Sequence, residues 1–360
     1  MSAAFPRLFS PFAIGAHRLR NRIVMLPHGT SMVVRGAPTE DDIAYYVRRA
    51  ADGPGLMVTG ASVTSLDSTR RGRKLIETFN DAALPMLARR AAAVRAEGAA
   101  IVGQIVHLGR ESIGMESDWP LLAPSALRSP RDLQAPREMD DADIRRVIAD
   151  FAVCARNLEA TGHAGVEIHG AHGYLVGQFL SLATNRRDDR WGGDPERRLR
   201  FLVEVIAAVR GACGPDFILG LRLSADEEIA DGLELADNRR IVEALAARQP
   251  VDYLRVTLGT AGSYVKDGTQ PVTTAARATA MLREASGFVT IAGQRFTSPA
   301  LAEAVLDAGQ ADAIGFGFLL ATVRQFAPDF GPESIGKNTR LLHARIRPDH
   351  GHTECFATSL

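Results

Sequence analysis

Residues 165–201 read GVEIHGAHGYLVGQFLSLATNRRDDRWGGDPERRLRF, and this stretch decides how the whole chain is to be read. Val166-Glu167-Ile168 predicts a buried strand, and His169, His172 and Tyr174 follow it in quick succession. Three side chains able to carry a proton, placed just beyond the C-terminal end of a strand, point to a site rather than to packing. Further on, Asp194 stands before Pro195. A capping carboxylate followed by proline at the first helical position starts a helix, which runs to about Gly211. Strand, polar loop and helix together make one βα unit.

The same unit recurs in both directions. Short apolar runs at 22–26, 55–59, 99–106, 166–168, 217–223, 253–258, 288–292 and 312–317 predict eight strands. Helices are expected near 39–51, 81–97, 140–160, 194–211, 237–248, 275–285, 299–308 and 319–326. The clearest is 140–160, where Ile144, Val147, Ile148, Phe151, Ala155 and Leu158 recur at three- and four-residue spacing behind an acidic first turn. Before it lies a loop holding Trp119, Pro120, Pro124, Pro130 and Pro136, too rich in proline for a helix or a central strand. Strands that are apolar throughout, rather than at alternate positions, are buried on both faces, as in a parallel sheet. Eight such units predict an α/β chain folded as a (β/α)8 TIM barrel, a single domain over residues 1–360. Residues 1–20 are expected to form a small lid or hairpin, and 330–360 a C-terminal tail. An open doubly wound sheet is the alternative, but no G-x-G-x-x-G follows the first strand.

Composition narrows the function. The chain has 360 residues, 46% of them hydrophobic, and its 42 basic and 42 acidic residues cancel. No basic block is present, so neither nucleic acid nor an anionic membrane is expected as a partner. No apolar run reaches the roughly 20 residues needed to span a bilayer, and the first residues lack a signal peptide's apolar core. The three widely spaced cysteines, Cys154, Cys213 and Cys355, suit neither a disulfide framework nor a cysteine-rich metal site. A cytoplasmic enzyme acting on a small molecule is expected.

In a barrel of this kind the site lies at the C-terminal rim. The polar residues there are Pro27-His28-Gly29-Thr30, Thr59-Gly60, Gln104, His107, His169, His172, Tyr174, Arg222, Ser224, Thr257, Thr260 and Gln294-Arg295. None has metal-ligand spacing, so no metal is expected. The set is rich in amide, imidazole and guanidinium donors and poor in carboxylates, which suits an electron-rich, anionic ligand. A phosphate would fall at Gly293 to Arg295 and Gly315 to Gly317, after the seventh and eighth strands.

The chain resembles the Old Yellow Enzyme family of FMN-dependent ene-reductases, and within it the branch of 2,4-dienoyl-CoA reductase and trimethylamine dehydrogenase. The segments that carry the resemblance are LFSPFAIGAHRLRNRIVMLPH, GQIVHLGRE, EIHGAHGYLVGQFLSLATNRRDDRWGGDPERRLRF, LGLRLS, VDYLRVTLG and GQRFTSPALAEAVLDAGQADAIGFG. By that resemblance the cofactor is FMN, with NADPH or NADH as electron donor. Pro27, His28, Gly29 and Gly60 would line the flavin, Gln104 would bond its pyrimidine edge, and Arg222 would face N1 and O2. Gly293, Arg295, Gly315 and Gly317 would hold the phosphate. His169 and His172 match the pair that grips a substrate carbonyl oxygen, and Tyr174 the tyrosine that protonates the α-carbon. A tyrosine's ordinary pKa of about 10 keeps it protonated and able to donate near neutrality.

The chain also departs from the family. Gly29 stands where relatives often carry Thr or Cys, which rules out a cysteinyl link to the flavin there. Phe318 replaces an arginine that grips FMN at the end of the eighth strand. Thr260 replaces the aspartate of the amine dehydrogenases, and Ala261 lies near a histidine position of dienoyl-CoA reductase. With only Cys355 near the end of the chain, no iron–sulfur cluster is expected, and electrons would come from NAD(P)H or from a separate partner protein. Reduction of an activated C=C bond is the first reading. Oxidation of a small amine, or a flavin-binding partner subunit, are the alternatives, and homo-oligomerisation stays open. His107 and Arg110 are expected to anchor loops, the Asn185–Gly193 block to cross-link one, and Cys154 and Cys213 to pack in helices.

Overall fold

Eight strands, each too apolar on both faces to be exposed to water, close into a ring. They are β1 (Ile23–Met25), β2 (Leu56–Val63), β3 (Ala100–Val106), β4 (Gly165–Gly170), β5 (Ile218–Ser224), β6 (Tyr253–Thr257), β7 (Val289–Ala292) and β8 (Ala313–Phe316). Every neighbouring pair is parallel, and β1 pairs with both β8 and β2, so the ring is complete. The computed structural model describes residues 5–69, 74–112, 117–248, 250–259, 272–293, 296 and 298–317. The helix expected at 319–326, together with Thr260, Ala261, Gln294, Arg295, Phe318 and Cys355, lies outside them.

Helices α1 (Glu40–Ala51), α2 (Leu84–Ala96), α3 (Asp141–Ala160), α4 (Leu175–Leu180), α5 (Pro195–Ala212), α6 (Leu235–Arg248), α7 (Val272–Ser286) and α8 (Pro299–Asp307) follow the strands. Their starts have local causes. Asp140 and Asp143 form a reciprocal capping box on α3, and the Asp194 carboxylate accepts from the Arg197 N–H ahead of Pro195. Ile144, Val147, Phe151 and Leu158 of α3 are buried in one core with Leu202 and Val205 of α5 and Ile168 of β4.

The first twenty residues do contain a hairpin, Phe12–Ile14 paired antiparallel with His17–Leu19. Its place is at the barrel's N-terminal end. Ile14 and Leu19 pack among Val24, Leu56, Val102, Ile218 and Ile291, and His17 Nε2 bonds the Asp216 carbonyl just before β5. The hairpin therefore closes the N-terminal mouth, opposite the rim where strands end. Six buried residues, Leu175 to Leu180, form the short α4 directly after Tyr174, a helix that no amphipathic pattern in the sequence announces.

Two inward-facing features tie the barrel together. Gly220 on β5 leaves room for the Tyr253 ring of β6, since a Cβ there would lie 2.1 Å from Tyr253 Cζ. Asp42 of α1 and Arg90 of α2 form a fully buried ion pair, with Arg90 Nη1 donating to Asp42 Oδ2 at 3.0 Å. Thr30 Oγ1 donates to the other carboxylate oxygen at 2.6 Å. Removing one partner of a buried pair strands the other charge in a low-dielectric interior. Asp42→Asn is therefore expected to cost about 3–5 kcal/mol, read as a lower urea midpoint with an unchanged slope; a loss under about 1 kcal/mol would mean the pair is dispensable.

Candidate active site

Strand β4 ends at His169-Gly170, and the loop Ala171-His172-Gly173 leads to Tyr174, the residue that caps α4. The short spacing brings three rings into one cluster. His169 lies 5.1 Å from His172 and 5.0 Å from Tyr174, centroid to centroid, all edge to face. His172 adopts a left-handed backbone, φ +60°, unusual for a residue with a side chain. It is held there from β5: the His172 N–H donates to Ser224 Oγ at 3.2 Å, and that hydroxyl donates to the Gly259 carbonyl at 2.8 Å.

Hydrogen bonds fix the tautomers. His169 Nδ1 accepts from the Ala171 N–H at 3.2 Å, so the proton sits on Nε2. That Nε2–H is buried with no hydrogen-bond partner among the described residues. His172 Nε2 accepts from Arg222 Nη2 at 2.9 Å, since a guanidinium can only donate. Both imidazoles are held well below the ordinary histidine pKa, first by burial and then by the Arg222 charge, so both are neutral near pH 7.

Beneath them lies a charged layer that the sequence reading missed. Glu167, fully buried on β4, accepts four bonds. Gln104 Nε2 donates at 2.6 Å to one carboxylate oxygen, which also accepts from Arg255 Nη2. Arg255 Nε donates at 2.7 Å and Tyr253 Oη at 3.0 Å to the other. Burial pushes the Glu167 carboxyl upward, yet the Arg255 charge and its hydrogen bonds outweigh this and hold it below the usual range. Two guanidiniums lie close to this group: Arg255 bonds the Glu167 carboxylate, and Arg222 bonds the His172 imidazole. A signal was present in the sequence: Val-Glu-Ile and Leu-Arg-Val set charged residues inside apolar strands, where a charge needs a partner.

The remaining expected residues fall around the same rim. Pro27 is buried, Gly29 exposed, and His28 half-buried with Nδ1 bonded to the Leu26 carbonyl and Nε2 to the Tyr45 hydroxyl. A Cβ on Gly60 would lie 2.2 Å from the His28 carbonyl oxygen, so glycine is needed there for the backbones of β1 and β2 to approach; its N–H donates to Tyr46 Oη at 2.9 Å. Gly293 and Gly315 both face the Leu26 side chain, whereas a Cβ on Gly317 would meet no described atom within 4 Å. Gln104 Oε1 and Thr59 Oγ1, buried oxygens with no hydrogen-bond partner among the described residues, lie on β3 and β2.

Other polar residues are structural anchors. His107 Nε2 donates to Asp67 at 3.1 Å, and Arg110 reaches the Leu127 and Arg128 carbonyls. In the Asn185–Gly193 block, Arg187 donates to the Pro124 and Met139 carbonyls, and Asn185 Nδ2 to those of Phe179 and Trp191. Cys154 and Cys213 are unpaired thiols, Cys154 within α3 and Cys213 at the end of α5. No described helix is long and apolar enough to cross a membrane.

Burial of uncharged histidines gives a pH signature. Burial also lowers the His163 pKa to about 3. Unfolded histidine titrates near pH 6.5, so between that value and the lower native values the unfolded chain binds more protons. Stability is then complete above about pH 7 and lost as pH falls below about 6.5, by up to about 1.4 kcal/mol per pH unit for each of His163, His169 and His172. Urea midpoints measured from pH 7.5 to 5 test this, and a flat profile across that window would contradict it.

Comparison with known proteins agrees with the geometry. The chain is 34% identical over 321 residues to N,N-dimethylglycine/sarcosine dehydrogenase of Chromohalobacter salexigens, covering 87% of this chain and 46% of that protein. It therefore spans about half the length of that relative. It is 36% identical over 314 residues to NADPH dehydrogenase of a Geobacillus species, covering 85% of this chain and 88% of the other. The structure of morphinone reductase in complex with tetrahydroNAD superimposes with a TM-score of 0.78 at 26% identity, over 91% of this chain and 94% of that one. A family model described as NADH:flavin oxidoreductase / NADH oxidase matches residues 7–322. The chain belongs to this NADH:flavin oxidoreductase / NADH oxidase family, the Old Yellow Enzyme family whose motifs it carries.

Proposed function

We propose that this barrel is an FMN-dependent NAD(P)H oxidoreductase that reduces the C=C bond of an α,β-unsaturated carbonyl or enoyl compound. The observation that supports the reading is the buried His169 Nε2–H, without a partner among the described residues, beside His172 and Tyr174. Two features of the buried layer below support a flavin there: an acceptor oxygen on Gln104 with no partner among the described residues, and the guanidinium of Arg222 beside the histidines. Pro27, His28, Gly29 and Gly60 would line the ring, with Gly293, Arg295, Gly315 and Gly317 at the phosphate. When bound, FMN reduced by NADH or NADPH supplies a hydride.

The protein's own groups handle charge and protons. His169 Nε2–H donates to the substrate carbonyl oxygen, together with His172, and these donors stabilise negative charge as it develops there. Neutral imidazoles suit the task, because they bind the oxygen without transferring a proton to it outright. Tyr174 then delivers a proton to the α-carbon from the opposite face. Arg222 keeps its positive charge in the layer beneath.

A second reading has one observation in its favour: the relative from Chromohalobacter salexigens is by name a dehydrogenase of N,N-dimethylglycine and sarcosine. The test separates the readings. Purified protein, reconstituted with FMN under anaerobic conditions, is titrated with NADH, NADPH, dimethylglycine and 2-cyclohexenone while its visible spectrum is followed. Bleaching by a nicotinamide and recovery with the enone are expected. Bleaching by the amine alone favours amine oxidation, and a protein that takes up no FMN is a flavin-free partner subunit. Tyr174→Phe is expected to slow recovery with the enone by about 10²–10⁴-fold while leaving bleaching by nicotinamide unchanged. Recovery at the wild-type rate would remove Tyr174 as the proton donor.

A further inference from the structure

Gln104 raises a question that its place at the rim does not answer: which end of its amide faces the ligand. A primary amide carries a donor at one end and an acceptor at the other, and nothing in the residue itself chooses between them. Here the choice is made by Glu167. The carboxylate can only accept, and it lies 2.6 Å from Gln104 Nε2. Turning the amide over would set two acceptor oxygens against each other at that distance in a fully buried layer. The NH2 end therefore faces Glu167, and Gln104 Oε1, buried and without a hydrogen-bond partner among the described residues, faces away.

Glu167 is itself immobilised. Arg255 holds both of its oxygens, and Tyr253 adds a fourth bond across the space opened by Gly220. All four residues are wholly buried, and the bonds join β3, β4 and β6. An arrangement this constrained serves more than packing, because it ends in an acceptor to which no described residue donates.

We propose that Glu167 is a positioning residue for the cofactor: by fixing the Gln104 amide it presents an acceptor oxygen, not a donor, to the N3–H edge of the flavin. This rests on the FMN reading given above. An acceptor at that position favours the protonated N3 and disfavours the N3 anion; a flipped amide does the reverse.

The experiment is a spectral pH titration of flavin N3 ionisation in FMN-loaded protein, alongside the FMN dissociation constant from quenching of flavin fluorescence. In Glu167→Gln the amide of Gln104 is free to turn. N3 ionisation is then expected to fall by about one pH unit, and the FMN dissociation constant to rise about tenfold. Glu167→Asp keeps the negative charge beside Arg255, so the fold is safer, yet it withdraws the carboxylate from Gln104; a shift in the same direction is expected. In the Gln104→Ala background, Glu167→Gln is expected to shift N3 ionisation no further. Weakened FMN binding with N3 ionisation unmoved in both single variants would overturn the proposal, since it describes a carboxylate that merely holds strands together. If the wild-type protein takes up no FMN, the cofactor reading itself fails and this inference falls with it.

Discussion

A ring of parallel strands has no edge at which pairing can stop, and this closure governs the molecule. Because β1 pairs with both β2 and β8, every strand runs in the same sense, and all eight C-terminal ends meet at one rim. Residues far apart in the chain are brought together there: His28, Gln104, His172 and Arg222 share one end of the barrel only because the ring is closed. The other end is sealed by the Phe12–Leu19 hairpin, whose Ile14 and Leu19 are continuous with the barrel core. Access is thereby confined to the side that carries the chemistry.

Closure also creates an electrostatic problem inside the barrel. Side chains pointing inward have little water, and a charge left there without partners is costly. Glu167 and Arg255 answer each other, with Gln104 and Tyr253 completing the carboxylate's bonds. Arg222, level with Arg255 in the strand register, meets a neutral imidazole. The same guanidinium that holds His172 helps to keep both histidines unprotonated. Placement of charge and the protonation state of the neighbouring rings are therefore one property, not two.

Much of this was legible in the chain. Apolar strands give a strong local signal because burial on both faces leaves no polar alternation, and capped helices such as α3 and α5 announce their starts. His169, His172 and Tyr174 were visible because they stand together. What escaped depended on packing rather than on neighbours. Helix α4 is buried at every position, so it has no amphipathic face to detect, and Tyr174 makes no capping bond. A lid or hairpin was expected in the first twenty residues, but which mouth it covers is decided by contacts with the barrel strands. Glu167 and Arg255 lie 88 positions apart, and only the fold shows that one satisfies the other. The reach of Arg222 to His172 is likewise a matter of side-chain direction.

The buried groups on His169 and Gln104 that find no partner among the described residues have a thermodynamic side. A folded chain that buries unsatisfied polarity keeps part of its stability in reserve, to be released when an anionic, hydrogen-bonding molecule enters. Any ligand that binds only the folded form stabilises it by mass action, by about 2.7 kcal/mol at a hundredfold excess over its dissociation constant. That is a sizeable share of the 5–15 kcal/mol or so that typically separates folded from unfolded domains. The fraction of this chain that survives proteolysis in a cell would then track the supply of its ligand, so that a chemical feature of the site also sets how long the protein lasts.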